Sequence, residues 1–376
     1  MGKINQLKIN IAEEEKVKYY TAFSYLQVKP IFKSRLFEYF EYDIKRAFLA
    51  DKNDIQSMAE YYDISSPRDF LEKKDKLNIE ECFKNAFLDK NVKILTYEDE
   101  KYPPLLKEIP DFPLALFYKG DINKVNYDFN LAVVGSRKAS ENAKIALDSV
   151  ISGLKNSPIT IVSGLAYGID AKAHTSAIEN NLKTIGVIAS GLDTIYPMQN
   201  KGIYEKIIDE AGVIFSEYPL GVKPIQMNFP QRNRIVVGMS KGTLVGEAQV
   251  KSGAMISANL TLDYDRELMC IPGNILNPNT SGIYHLIKNG ASIICNSDDL
   301  LNSMGWAIIH NEKENEKNEL SDFQKEVLEI VSMEEKTFDE IVCAIKEDVS
   351  KIMVVLTELE LKGLIKQTNN KYYKCK

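Results

Sequence analysis

Seven short β-rich runs between residues 128 and 304 place the strongest limits on how this chain can fold. The runs are LAVVG (131–135), TIVSG (160–164), TIGVIAS (184–190), VIFSE (213–217), TLVGEA (243–248), ELMCIP (267–272) and SIIC (292–295). Stretches with helical periodicity, such as SENAKIALDSVISGLKN, separate most of them. Strands that alternate with helices form a parallel sheet with helices on both faces. We therefore predict an α/β domain with a large, doubly wound, mostly parallel sheet of the Rossmann-like type.

The segments on either side of this sheet have different compositions. Residues 1–95 are rich in Glu, Lys, Tyr and Phe at helical spacing, which predicts a helical N-terminal domain before an α/β domain spanning 96–306. Residues 307–320 are too charged to pack and predict a linker. In residues 321–376, the capping boxes SDFQ and TFDE start two helices, and a third helix precedes two short strands. This order is typical of a winged-helix domain.

Composition excludes several classes of protein. The chain has 376 residues, of which 44% are hydrophobic and 27% charged, as in a globular protein of two or three domains. A net charge of -6 argues against a surface coated in basic residues for duplex DNA, but it permits one local basic cleft. Five scattered cysteines without a CxxC pair predict neither disulfides nor a zinc site. Without an apolar signal or membrane segment, we expect a cytoplasmic protein that does not contact membranes.

The first three predicted strands end in sequences suited to binding an anion. These ends are GSR (Gly135, Ser136, Arg137), SGLAYG (163–168) and SGLD (190–193). Glycine lets the backbone turn sharply, and the following helix presents free N–H groups to a phosphate. Strand-to-helix turns need glycine in any case, but three such loops in succession favour a phosphate site. Neither GxGxxG nor GxxxxGK[ST] is present, so we expect nucleic acid or a nucleotide without ATP hydrolysis.

The stretch NFPQRNR places an aromatic ring beside two cations. Arg232 and Arg234 are two residues apart and would point to opposite sides of a helix. One could face a phosphate while the other pairs with a carboxylate such as Glu217 or Glu247, although two ion-paired surface arginines are also possible. Phe229 could stack on a base, or it could be a buried core residue.

Residues suited to catalysis are few. The chain has three histidines, His174, His285 and His310. Asp170 and His174 share one helix face, where a local hydrogen bond is a better explanation than catalysis. Glu247 is the best candidate carboxylate for a hydrolase, but a structural pairing with an arginine is favoured. We predict no catalytic residue, no metal site and no cofactor.

Together these motifs resemble the DNA-processing protein A (DprA/Smf) family of bacteria. The similarity runs in order from YPPLLKEIPDFPLALFYKG through AVVGSRKAS, IVSGLAYGIDAKAH, IGVIASGLDTIYP and NFPQRNR to KSGAMISA, CIPGN and NTSGIYHLIKNGA. It implies an extended Rossmann-like domain that binds single-stranded DNA and has no established catalytic activity. It also implies a homodimer that protects incoming DNA in natural transformation and loads a RecA-type recombinase.

The resemblance also implies a set of DNA-binding residues. Arg137 would bind a backbone phosphate, with the GSR loop around it. The other residues are Ser163, Gly164, Gly168, Lys223, Phe229, Arg232, Asn233, Arg234, Ser252 and Gly253. The chain departs from the family pattern in having VGEA for VVEA and SGAMISA for SGSLxTA, which affects the fine shape of the pocket.

Two further interpretations remain open at this point. Related Rossmann-like folds include nucleoside monophosphate phosphoribohydrolases, whose PGGxGTxxE motif is partly present here as SKGTLVGEA, without the leading PGG. The other is a regulatory scaffold that acts through the winged helix. That domain holds nine Lys against eleven Asp and Glu, and its third helix carries Glu358 and Glu360, so we expect it to contact protein rather than duplex DNA.

Overall fold

The computed structural model describes residues 11–65, 70–306, 321–333, 335–345, 347–361, 364–368 and 371–374. The chain divides into two compact units, residues 1–307 and 308–376. The predicted linker, residues 307–320, lies outside the described residues. No helix in the described ranges combines the length and apolar character needed to cross a membrane.

The N-terminal segment is helical, as its sequence predicts. Its helices are α1 Ile11–Tyr25, α2 Pro30–Tyr39, α3 Ile44–Leu49, α4 Lys52–Tyr61, α5 Phe70–Asp75 and α6 Ile79–Ala86. The Asp43 and Asp51 side chains accept hydrogen bonds from the first free N–H groups of α3 and α4. Buried aromatic side chains such as Phe37 and Phe48 belong to the same hydrophobic core as residues of the sheet. The boundary at residue 95 between separate domains stays a prediction.

A nine-stranded sheet forms the centre of the first unit. Its strands are β1 Lys93–Thr96, β2 Ala115–Gly120, β3 Asn130–Val134, β4 Thr160–Ser163, β5 Lys183–Ile188, β6 Gly212–Ser216, β7 Gly242–Val245, β8 Glu267–Cys270 and β9 Ser292–Ile293. Their order is β1-β2-β6-β5-β4-β3-β7-β8-β9. All seven predicted strands are present and parallel to one another, which confirms the predicted fold class. Strands β1 and β2, which add an antiparallel edge beside β6, were not predicted.

The order of the strands creates a crevice beside β3. The chain proceeds from β3 through β4 and β5 to β6, then returns to the other side of β3 and continues through β7, β8 and β9. Such a reversal opens a binding crevice beyond the carboxyl ends of the two central strands, here β3 and β7. The connecting helices are α7 Glu141–Ser152, α8 Ile169–Glu179, α9 Lys201–Lys206, α10 Asn228–Gly238, α11 Gly253–Asp263, α12 Ser281–Lys288 and α13 Ser297–Ser303.

The second unit has the predicted winged-helix pattern. It consists of α14 Asp322–Met333, β10 Lys336–Thr337, α15 Phe338–Ala344, α16 Val349–Leu361, β11 Ile365–Thr368 and β12 Lys371–Lys374, with the strands in the order β10-β12-β11. Both predicted capping boxes form, at Ser321 with Gln324 and at Thr337 with Glu340. Buried aliphatic residues such as Val327 hold the helices together.

Candidate nucleic-acid interface

A cleft of about 820 Å³ lies at the crevice between β3 and β7. Its walls come from the loop after β3, the start of α10 and the start of α11. Eight of the predicted site residues line it: Gly135, Ser136, Arg137, Phe229, Arg232, Asn233, Ser252 and Gly253. Sequence motifs more than a hundred residues apart therefore meet at one place.

The loop after β3 is held rigidly and presents Arg137 to solvent. The Ser136 N–H donates to the Glu247 carbonyl at 2.7 Å, and the Ile169 N–H donates to the Ser136 carbonyl at 3.2 Å. Gly168 has a φ of +75°, and a Cβ there would lie 2.1 Å from the Ser136 carbonyl oxygen. Only glycine lets this turn approach the GSR loop so closely. Gly168 therefore shapes the loop, while the exposed Arg137 is available to a ligand.

The Arg137 guanidinium lies over the ring of Phe229. Its Cζ atom is 4.8 Å from the ring centroid, a distance typical of a cation–π contact. The ring is partly buried and packs at a tilt of 56° against Tyr196, with 5.7 Å between centroids. Phe229 is thus part of the cleft wall, not of the hydrophobic core.

Arg232 lies at the base of the cleft and ties two strands together. Its side chain is 3% exposed, and Nη1 donates to the carbonyls of Gly164 and Val187, at the ends of β4 and β5. A Cβ at Gly164 would lie 2.1 Å from Nη1, so glycine is needed to admit the guanidinium. The Nε atom has no hydrogen-bond partner among the described residues, although its residue lines the cleft.

Asp170 is a buried carboxyl group in the same cleft. Burial raises its pKa, and the guanidiniums of Arg232 and Arg137 act in the opposite direction. Burial likewise lowers the pKa of Arg232, which Asp170 partly offsets. The carboxyl also accepts a long hydrogen bond of 3.4 Å from the Ala166 N–H, in the loop before it. Asp170 therefore offsets the charge of the buried Arg232 and of the exposed Arg137.

The start of α11 supplies hydrogen-bond donors to the cleft. Ser252 is the N-terminal capping residue of this helix, yet its side chain makes no capping hydrogen bond. Its Oγ atom is buried and unpaired in the described structure, as is that of Ser257, which is 1% exposed. Both residues line the cleft. A helix N-terminus with free N–H groups and unused hydroxyls favours an anion.

Arg234 points away from the cleft. Its Nη2 atom is 2.5 Å from Glu217 Oε2, its Nε atom is 3.6 Å from Asp111 Oδ2, and the side chain is 3% exposed. Burial would lower the pKa of Arg234, but these two carboxylates raise it above its usual value. One of the two arginines was expected to pair with a carboxylate such as Glu217 or Glu247, and the pair of Arg234 with Glu217 confirms this expectation. The expectation that Arg234 itself contacts DNA is corrected, because its guanidinium is buried among protein carboxylates.

The remaining predicted DNA-binding residues, Ser163, Gly164, Gly168 and Lys223, are not among the residues that line the cleft. Ser163 is fully buried and its Oγ donates to the Val133 carbonyl at 2.6 Å, which corrects its expected place at the rim. Lys223 is exposed outside the cleft lining, and its DNA contact stays a prediction. In the described part of the chain, Glu247 bonds to Ser140 and Asn277, so the expected arginine partner is wrong.

The cleft also contains residues that the sequence motifs did not predict as site residues. They are Lys138, Asp170, Tyr196, Gln249, Ser257 and Asn279. Tyr196 follows the third predicted strand end, and the signal that could have found it is its place in SGLDTIYP. Gln249 and Asn279 hydrogen-bond to each other at 2.5 Å across two loops, a pairing that no local pattern reveals.

Comparison with known proteins agrees with this geometry. The model of the family described as DNA recombination-mediator protein A matches residues 93–305, and the DprA winged helix domain matches residues 311–370. The chain belongs to the DNA recombination-mediator protein A family.

Individual members of this family are similar over much of their length. DNA processing protein DprA of Streptococcus pneumoniae is 41% identical over 203 residues, covering 54% of this chain and 71% of the relative. The X-ray structure of DprA from S. pneumoniae has a TM-score of 0.64 and 34% identity, covering 79% of this chain and 98% of that one.

A second solved structure of this family concerns single-stranded DNA. It is DNA processing protein A of Helicobacter pylori, described for its unique single-stranded DNA binding mode. Its TM-score is 0.51 and its identity is 29%, covering 56% of this chain and 95% of that one.

We predict that Arg234→Met destabilises this family member by about 3–5 kcal/mol, because Glu217 is left as an uncompensated, largely buried charge. Urea unfolding followed by the fluorescence of Trp306, the only tryptophan, measures the change. The double variant Arg234→Met with Glu217→Leu should recover much of the loss. Lys45→Met, which breaks an exposed ion pair with Glu15, is the matched control and should change little. Equal losses for Arg234→Met and Lys45→Met would show that Arg234 does not brace the fold.

We also predict that lowering the pH destabilises the protein because His174 is buried in its neutral form. This fully buried imidazole lies 2.7 Å from Thr184 Oγ1, and burial lowers its pKa from 6.5 to about 3. Below pH 6.5 the His174 side chain binds a proton in the unfolded chain but stays neutral in the native state. Stability is therefore lost as the pH falls toward 3. The expected contribution is at most about 1.4 kcal/mol per pH unit.

Urea unfolding at several pH values tests this expectation. His174→Gln should flatten the dependence, whereas His285→Gln, at an exposed position, should leave it unchanged. A His174→Gln variant with the wild-type dependence would contradict the prediction.

Proposed function

We propose that the cleft binds the backbone of single-stranded DNA without catalysing a reaction. The observation that carries this proposal is the convergence of the exposed Arg137 with the start of α11 and with the unpaired donors of Arg232 and Ser257. A phosphate in the cleft would pair with the exposed Arg137 guanidinium and with the N–H groups at the start of α11. The contacts address the backbone and not the base edges, so binding should be strongly salt-dependent and show little sequence preference.

We further propose that the protein is a homodimer that protects incoming DNA in natural transformation and delivers it to a RecA-type recombinase. The support is the membership of the DNA recombination-mediator protein A family and the similarity to the H. pylori protein that binds single-stranded DNA. The winged-helix unit supports a protein contact better than a DNA contact. Its helix α16 exposes the apolar side chains of Val349, Met353 and Val354.

Arg137→Ala should weaken binding to oligothymidylate about 10- to 150-fold, because a charge-assisted phosphate contact is lost. The slope of log affinity against log salt should also become shallower by about 0.7, since one fewer counterion is released. Fluorescence anisotropy over a range of salt concentrations measures both. The matched control is Arg46→Ala on α3, where an exposed arginine likewise covers an aromatic ring, that of Phe40. Unchanged affinity in Arg137→Ala would refute the proposed DNA site.

The rival interpretation as a nucleotide-cleaving enzyme can be tested directly. Its key carboxylate would be Glu247, which is 1% exposed and accepts hydrogen bonds from Ser140 and Asn277. We expect no free base when the protein is incubated with nucleoside monophosphates and the products are separated by chromatography. Release of base at an enzymatic rate, abolished by Glu247→Gln, would favour the enzyme.

A further inference from the structure

The ring of Phe229 is already in contact with two other side chains, which changes the role that it can have. Arg137 covers it at 4.8 Å, and Tyr196 packs against it at 5.7 Å. We propose that Phe229 is a positioning residue that holds Arg137 in place for phosphate, and that a nucleobase of the bound strand stacks on Tyr196. This inference rests on the proposed function as a single-strand binder and assigns separate phosphate and base contacts within it.

The position of Arg137 argues against stacking of a base on Phe229. A base on the covered face would have to displace the guanidinium, and the phosphate would then lose its exposed cationic ligand. A free arginine side chain also loses much rotational freedom on binding a phosphate. Holding the guanidinium on the ring before binding reduces that cost, as preorganisation does generally. The partly buried ring of Phe229 therefore contributes to affinity through Arg137.

Tyr196 has the exposure that a stacking residue needs. Its side chain is 47% exposed, and it lines both the main cleft and a small adjoining pocket beside Pro197 and Pro224. One part of the ring packs on Phe229, which fixes its orientation, and the remainder is open. Stacking on an aromatic side chain accepts any base, because every base has a π face.

The proposed phosphate and base ligands lie beside the same side chain. Arg137 and Tyr196 both contact the ring of Phe229. A nucleotide carries its phosphate and its base on different atoms of one sugar. Two such neighbouring ligands would therefore bind a single nucleotide unit.

The test compares oligothymidylate with a strand of the same length built from abasic sites. Phe229→Ala should weaken binding of both strands equally, about 3- to 30-fold, because only the phosphate contact is affected. Its salt slope should become shallower, as in Arg137→Ala. The double variant of Arg137→Ala and Phe229→Ala should bind no more weakly than Arg137→Ala alone. Phe229→Tyr keeps a ring and should bind as the wild type does, and thermal melting verifies that each variant is folded.

Tyr196→Ala should show the opposite selectivity. Oligothymidylate should bind about 5- to 100-fold more weakly, as expected for the loss of one base stack, while the abasic strand should bind as before. Tyr196→Phe should retain wild-type binding of both strands. Tyr61→Ala is the control, since Tyr61 is 74% exposed on α4, outside the residues that line the cleft.

The outcomes of these experiments distinguish failure of this inference from failure of the proposed single-stranded DNA site. A Phe229→Ala variant that weakens only oligothymidylate, with an effect additive to that of Arg137→Ala, would make Phe229 the stacking residue and overturn the inference. Unchanged oligothymidylate binding in Tyr196→Ala would overturn the base assignment. If Arg137→Ala itself binds both strands as the wild type does, the proposed DNA site fails instead.

Discussion

The buried guanidinium of Arg232 is the interaction on which the cleft depends. It donates to the carbonyls of Gly164 and Val187 and so joins the ends of β4 and β5 beneath helix α10. Removing a charge from water is costly, and these carbonyls and the nearby Asp170 offset that cost. The bridge requires glycine at position 164, since any side chain there would occupy the space of the guanidinium. The SGLAYG motif, which resembles a phosphate-binding loop, thus also accommodates the guanidinium of Arg232 from the protein itself.

The two arginines of α10 connect this site to the rest of the first unit. Residues two apart on a helix point in nearly opposite directions, so Arg232 faces the strand ends while Arg234 faces Glu217 and Asp111. Lys33 of α2 is also buried near that ion pair, and burial lowers its pKa to about 8. The N-terminal helices therefore pack against the charges that fix the rotation of α10. That rotation in turn presents Phe229 to Arg137.

The sequence predicts the parallel sheet well because buried parallel strands form continuous apolar runs that local inspection detects. It does not predict β1 and β2, because β2 pairs with β6, about a hundred residues further along the chain, and β1 pairs with β2. The candidate site likewise has some features that the local sequence predicts and others that depend on tertiary packing. Glycine-rich strand ends and the opposite directions of Arg232 and Arg234 follow from local rules. The burial of Ser163 and the contact between Arg137 and Phe229 depend on how distant loops meet. The residue types in the sequence indicate where the cleft lies. Only tertiary packing determines which side chains face a ligand and which support the wall of the cleft.

Local arrangement of charge is also consistent with the proposed binding of a polyanion by an acidic protein. The net charge is -6, yet the cleft contains Arg137, Lys138 and Arg232 against the single carboxylate of Asp170. A rigid duplex presents its charge along a wide cylinder. A single strand is narrow and flexible enough to bring one phosphate into the crevice while the rest of its charge stays in solvent. Salt screens interactions beyond about 10 Å, so the cations at the contact outweigh the distant acidic residues. Under the proposed function, the shape of the crevice, more than the total charge, would favour single strands over duplex DNA.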